Sequence, residues 1–368
     1  MRGRWLVPVL MLALAACGGE VPQRTEQGAA APAEQSFRWK LVTTWPKNYP
    51  GLGTAPEKFA ELIARMSNGR LTVKVFGAGQ LVPAMEVFDT VSRGTAEMGH
   101  GAAYYWRGKS PAAVFFTGVP FGLNAQEMNA WLHHGGGLAL WREVYEPFNL
   151  VPFAGGNSGV QMAGWFNREI NSLADLKGLK MRIPGLGGEV IRRAGGEAVT
   201  IPGGELYTAL QTGVIDATEW VAPYNDLAFG FHQIEKARYY YYPGWHEPGS
   251  TLELIVNRDA WLSLPDDLQA MVEAAARAVN QDMLDEYTAH NHAAYVELER
   301  NGVQIRPLPD DVLVELHRLS DQVLEELAAS HPLARRVYES QRAFQEEVSA
   351  YHRISEEAYF RARRLPTD

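Results

Sequence analysis

From Phe37 onward, short runs of alternating apolar and polar residues trade places with longer runs at helical spacing, and this confines the chain to an α/β architecture. Residues 37–44 (FRWKLVTT) alternate. Residues 55–66 carry apolar side chains at helical spacing and are closed by Ser67-Asn68-Gly69. Residues 71–76 (LTVKVF) are a strand, residues 83–92 a helix stopping at Gly94, and residues 98–105 are apolar enough for a buried strand. From Asp266 the pattern is almost wholly helical, interrupted by a strand at residues 303–305, by Pro307 and Pro309, and by the break at His331-Pro332.

One plan occurs twice. Residues 87–99 and 208–220 each read as a helix, a glycine stop (Gly94, Gly213), an acidic residue within three positions (Glu97, Asp216) and a strand. They read as equivalent units, one per lobe. About 330 folded residues fit two lobes on ordinary domain sizes. The sequence places lobe 1 at 37–150, with return crossings from the C-terminal half, and lobe 2 at 151–257, with a crossover strand at 251–257. Bracing helices that return to lobe 1 follow at 258–330, and a C-terminal helix at 331–368. That last helix scatters Tyr338, Phe344, Tyr351 and Tyr359 among charges. It has too little apolar surface for a core position and could instead lie along a partner subunit.

The start of the chain speaks to location. Arg2 and Arg4 precede an apolar run at residues 6–16, too short to span a bilayer and suited to a signal peptide. The run ends in Leu14-Ala15-Ala16-Cys17, a bacterial lipobox in which Cys17 would be lipidated. Cys17 is the single cysteine of 368 residues, so no internal disulfide exists. Acyl chains there would anchor the protein, at roughly 0.8 kcal/mol per buried methylene. Residues 17–36 are polar and aperiodic and read as a flexible tether. The formal charge is -9, and -11 without Arg2 and Arg4, which argues against a nucleic-acid partner.

The residues at this point carry a family resemblance. Asp175-Leu176-Lys177-Gly178-Leu179-Lys180-Met181-Arg182-Ile183-Pro184, followed by residues 209–219, resembles the solute receptors of TRAP (tripartite ATP-independent periplasmic) transporters, over about residues 37 to 365. Within that family the chain is similar to the receptors for 2-oxo acids such as pyruvate, and for lactate. The residues that say so are Gly155-Gly156-Asn157-Ser158-Gly159-Val160-Gln161, Asp216-Ala217-Thr218-Glu219-Trp220-Val221, and residues 239–248 (YYYYPGWHEP). The resemblance implies a two-lobed periplasmic-binding-protein-like fold that closes on its ligand, a long helix bracing both lobes, TRAP membrane permease subunits as partners, and a dimer. Cys17 departs from the ordinary signal peptides of that subgroup.

Arg182 ends a strand that otherwise favours burial. A guanidinium matches a carboxylate with two parallel hydrogen bonds. Spacing alone favours a surface arginine capping a strand end; the resemblance makes Arg182 the clamp on the ligand carboxylate. It also implies a metal held by Gln161, Glu219, Glu247 and the main-chain oxygen of Trp220. Oxygen donors suit Na+ or Ca2+, whereas zinc prefers His or Cys. Asn157, Gln161, Tyr105 and Trp220 are placed around the ligand with Arg182, and Trp245 as a wall. A small 2-oxo or 2-hydroxy monocarboxylate would then meet Arg182 at one end and the cation at its 2-oxygen.

Other patterns carry less. Gly185-Leu186-Gly187-Gly188-Glu189-Val190 lacks the third glycine of a dinucleotide loop. His290 and His292 are two apart on a helix and face different sides. His133-His134-Gly135 reads as a helix end. No nucleophile elbow, HExxH or Cys–His pair is present, which favours binding over catalysis. Two alternatives share parts of this reading. One is a bilobed receptor of an ABC-type transporter. The other is a secreted metal-dependent lyase or hydrolase for hydroxy acids, with Glu219 and Glu247 as base and ligand; turnover of candidate acids would reveal it.

Overall fold

A computed structural model describes residues 35–366; Cys17, the apolar leader and nearly all of the tether lie outside them. In chain order the strands are β1 (Phe37–Thr43), β2 (Leu71–Phe76), β3 (Met98–Gly101), β4 (Leu150–Asn157), β5 (Gly164–Phe166), β6 (Lys180–Arg182), β7 (Glu197–Val199), β8 (Ala217–Thr218), β9 (Tyr239–Tyr242), β10 (Thr251–Asn257) and β11 (Gln304–Pro307). Among the described residues they form a five-stranded sheet of order β2-β1-β3-β10-β4 and a six-stranded sheet of order β11-β9-β5-β8-β6-β7. The architecture is thus mixed α/β on two sheets with a helical C-terminus, as the alternation of patterns requires.

The first sheet joins parallel β2, β1 and β3 to antiparallel β10 and β4. All seven side chains of β10 are buried, because it lies between β3 and β4 and is covered on both faces. Residues 150–157, where the sequence opens the second lobe, are a strand of the first sheet; the chain leaves that sheet only after Asn157. β11 pairs with β9 in the second sheet, although the sequence returns this region to lobe 1. The expected strand at 98–105 stops at Gly101, and Ala103–Trp106 winds into a 3-10 turn. There the Tyr104 N–H donates to Thr117 Oγ1 at 3.2 Å instead of to a ladder neighbour. An apolar run shows burial but not the point at which a strand ends.

The repeated plan is visible in three dimensions. Helix Val87–Ser92 and helix Leu206–Thr212 are followed by Gly94 (φ +72°) and Gly213 (φ +78°), then by β3 and β8. Left-handed turns of this kind favour glycine. The 35-residue helix Asp266–Arg300 is about 52 Å long at 1.5 Å per residue. Leu268, Val272, Ala275, Ala276 and Val279 bury one face of it at helical spacing. Further along, Tyr287 Oη donates to Pro50 O at 3.1 Å and accepts from Asn225 Nδ2 at 3.2 Å. The helix therefore packs on β4 of the first sheet and on the helix Pro223–Phe229 that follows β8 of the second. No described helix is long and apolar enough to cross a membrane.

The C-terminal region corrects one expectation. In helix Pro332–His352, Ala334, Val337, Tyr338 and Gln341 are buried against the chain's own Pro111–Phe116 and Ala125–His134 segments. Gln341 Nε2 donates to Phe115 O at 3.0 Å, and Trp131 Nε1 to Ser340 Oγ at 3.2 Å. The first half of this helix thus belongs to the core, and the apolar surface that remains is distal: Tyr351, Ile354 and Tyr359 are 65%, 75% and 61% exposed.

Candidate functional site

Strand order decides where the chemistry gathers. β6 and β8 are parallel neighbours, and Arg182 ends one while Glu219 follows the other. Across from them, Trp45 follows β1 and Tyr105 follows β3. The carboxyl ends of parallel strands from both sheets face each other, the usual place for a ligand in an open α/β sheet.

Arg182 is 1% exposed. Its Nε donates to Ile201 O at 3.1 Å and its Nη1 to Glu219 O at 3.3 Å. Nη1 also contacts Glu219 Oε1 closely, and Nη2 reaches Tyr105 Oη at 3.4 Å from the opposite sheet. The guanidinium lies over the Trp220 ring, 5.3 Å from its centroid. Trp220 meets Trp45 edge to face at 6.1 Å. Burial works against the Arg182 charge, but Glu219 beside it raises the pKa overall. Burial likewise pushes up the Tyr105 hydroxyl, against Arg182, which lowers it.

The third side is the loop at residues 243–247. Gly244 N donates to Gln161 O at 2.8 Å, and Gln161 N to Glu247 O at 3.2 Å. A Cβ on Gly244 would lie 2.3 Å from Gln161 O, so only glycine allows this approach. Glu247 Oε2 accepts from Gln161 Nε2 at 2.7 Å and Ser250 Oγ at 2.5 Å. Burial, then the charge of Glu219, pushes the Glu247 carboxyl up to about 7. Gln161 Oε1, Glu219 Oε2 and both ring nitrogens of His246 are buried and make no hydrogen bond among the described residues. Buried oxygens without donors fit a cation, and two carboxylates with an amide oxygen suit a hard one.

Of the residues named from the sequence, Arg182, Gln161, Glu219, Glu247, Trp220 and Tyr105 come together here. Asn157 is differently engaged: its amide donates to Gly249 O at 3.3 Å and Thr251 Oγ1 at 3.2 Å, and its oxygen accepts from Gly159 N at 2.9 Å. Its side chain thus bonds within the chain and holds the turn that carries Gln161. Trp245 packs against Phe121, behind the loop. His290 stacks on Tyr224, away from the site. The sequence reading missed Trp45, Ser250 and His246. His246 stands between Trp245 and Glu247, both of which were singled out, and that adjacency was the available signal.

Facing strand ends of two sheets that enclose a buried arginine are the arrangement of a solute-binding protein. The chain belongs to the bacterial extracellular solute-binding protein family 7 (DctP), whose model matches residues 41–331. It is accordingly an extracytoplasmic receptor of transporters and not an enzyme. It is 45% identical over 326 residues, 88% of each chain, to a monocarboxylate 2-oxoacid-binding periplasmic protein of Nostoc sp.. Among solved structures it resembles a TRAP periplasmic solute-binding protein from Colwellia psychrerythraea with bound calcium and pyruvate (43% identity, TM-score 0.86, 89% of this chain and 100% of that one). It also resembles one from Pseudoalteromonas atlantica with bound sodium and pyruvate (42%, TM-score 0.86, 89% and 99%). A third, from Bordetella bronchiseptica, is a dimer with calcium and picolinate in one site (38%, TM-score 0.87, 89% and 97%).

Proposed function

We propose that this protein is the receptor of a TRAP-type transporter for a small 2-oxo or 2-hydroxy monocarboxylate, bound together with Ca2+ or Na+. The observation that carries the reading is the buried guanidinium of Arg182 beside oxygens of Gln161 and Glu219 that have no hydrogen-bond donor. Arg182 binds the ligand carboxylate through Nη1 and Nη2, and the ligand competes with Glu219 for the N–H groups of Nη1. Gln161, Glu219, Glu247 and the main-chain oxygen of Trp220 hold the cation. When bound, the cation offsets the two carboxylates and gives the 2-oxygen of the acid a direct partner. Tyr105 closes over the ligand from the first sheet, and Trp45 and Trp220 exclude water. Binding and release require the two lobes to close and open.

A panel of three-carbon acids read by calorimetry tests this. In the presence of calcium, pyruvate or lactate should bind at least tenfold more tightly than propionate, which lacks the 2-oxygen. Equal affinities would refute the selection proposed. The membrane-anchored form rests on the lipobox at Cys17, with residues 1–16 as signal peptide and 17–36 as tether. A homodimer contact is proposed at the distal helices, where Tyr351, Ile354 and Tyr359 leave apolar surface exposed. That the Bordetella bronchiseptica protein is a dimer supports the assembly state. Size-exclusion chromatography with light scattering would reveal a monomer if it is wrong.

A further inference from the structure

His246 is 2% exposed, and neither of its ring nitrogens makes a hydrogen bond among the described residues. A buried imidazole without a partner is costly. Its Nε2 lies 3.5 Å from Glu219 Oε2, which is likewise buried and without a donor. That separation is too long for a good hydrogen bond. It matches the edge of a tetrahedron around a metal bonded at ~2.1 Å to nitrogen and oxygen, which is about 3.4 Å. Ligand atoms of Glu219, His246 and Glu247 all lie within 4.8 Å of one another, so small side-chain rotations bring the three onto one ion.

We infer that His246 is a nitrogen ligand of the cation site, so that the receptor also accepts a borderline divalent metal of the zinc and cobalt class. The inference rests on the cation reading given above and adds a donor to it. A site built from glutamates and an amide oxygen favours Ca2+ or Na+. One imidazole added to two carboxylates changes the preference, because first-row divalent ions bind imidazole nitrogen well and calcium takes oxygen. Glu219 and Glu247 would supply the charge, His246 the selectivity, and water or the organic acid the remaining positions.

Cobalt(II) is the probe, since its visible spectrum reports ligand type and coordination number. Metal-stripped full-length protein, free of organic acid and of any histidine tag, is titrated with Co2+ and separately with Ca2+ and with Na+. His246→Ala should lower the ratio of Co2+ to Ca2+ affinity at least tenfold and shift the cobalt spectrum toward an all-oxygen shell. A ratio within threefold of wild type overturns the assignment of His246. X-ray absorption of wild-type protein loaded one-to-one with Co2+ covers the case of a variant that does not fold. An imidazole scattering shell supports the inference, and an all-oxygen shell overturns it. Wild-type protein that binds none of Co2+, Ca2+ and Na+ removes the cation reading itself, an outcome distinct from losing His246 alone.

Discussion

Arg182→Lys and Arg182→Ala separate two roles that one side chain combines. From the sequence, Arg182→Ala is a clean loss of binding in a folded protein. Burial changes that expectation. Arg182 and Glu219 are each 1% exposed and paired, so alanine leaves a carboxylate in the interior without its countercharge. Breaking such a pair costs about 3–5 kcal/mol, a large part of a typical stability of about 5–15 kcal/mol. Lysine keeps the charge and much of that stability, but it cannot reproduce the contacts of Nε with Ile201 O and of both Nη atoms with Glu219 and Tyr105. Losing one charge-assisted bond to the ligand should cost about 1.5–3 kcal/mol, roughly ten- to a hundredfold in Kd. Calorimetry of pyruvate at saturating calcium reads the affinity, and thermal unfolding reads the stability. Calcium should stabilise Arg182→Ala more than wild type, since the cation gives Glu219 a new countercharge. A lysine variant within threefold of wild-type affinity, or an alanine variant as stable as wild type, would refute this reasoning.

Three further outcomes are expected. Burial raises Asp226 and Glu253 to about 7 in the folded chain, against roughly 4 in the unfolded chain; the folded state therefore binds more protons between those values. Stability should fall as pH rises from about 4 to about 7 and level off above. Tm should accordingly drop between pH 5 and pH 8 at constant ionic strength, with Glu253→Gln removing part of the drop, and a flat or rising Tm would contradict it. Gly244→Ala forces a Cβ toward Gln161 O and should reduce calcium affinity at least tenfold, since a main-chain atom cannot yield as a side-chain tip can; a threefold change or less would show that the loop adapts. Cys17→Ser should move the expressed protein from the membrane fraction to the soluble extracytoplasmic fraction, and a variant that still pellets with membranes would defeat the lipobox reading.

Much of the fold was legible because it rests on local patterns. Alternation over 37–44 and helical spacing over 55–66 each reflect one buried face, and the structure places β1 and the Thr54–Met66 helix there. Pairing is a different matter. Whether β4 joins the first sheet and β11 the second is settled by neighbours distant in sequence, and neither strand's own residues reveal it. The helix at 332–352 was misjudged because Val337 and Tyr338 bury against a surface that only the folded chain provides. At the site, Arg182 and Glu219 were found through the family resemblance; composition alone leaves a strand-end arginine ambiguous. Asn157 looked like a ligand group in the sequence, but its side chain ties Gly249 and Thr251 to its own turn at Gly159. His246 was passed over because a lone histidine has no spacing rule, and its meaning appears only with Glu219 Oε2 3.5 Å away.

The proposed function requires that acid and cation share one site, joined through Glu219. Calorimetric titration of pyruvate into exhaustively metal-stripped protein, repeated after calcium is restored, tests it most directly. Two buried carboxylates facing an anionic ligand without a cation disfavour it, and binding of the two partners is thermodynamically linked. Binding should be at least tenfold weaker in the stripped protein and recover fully with calcium. Equal affinity in both states would contradict it.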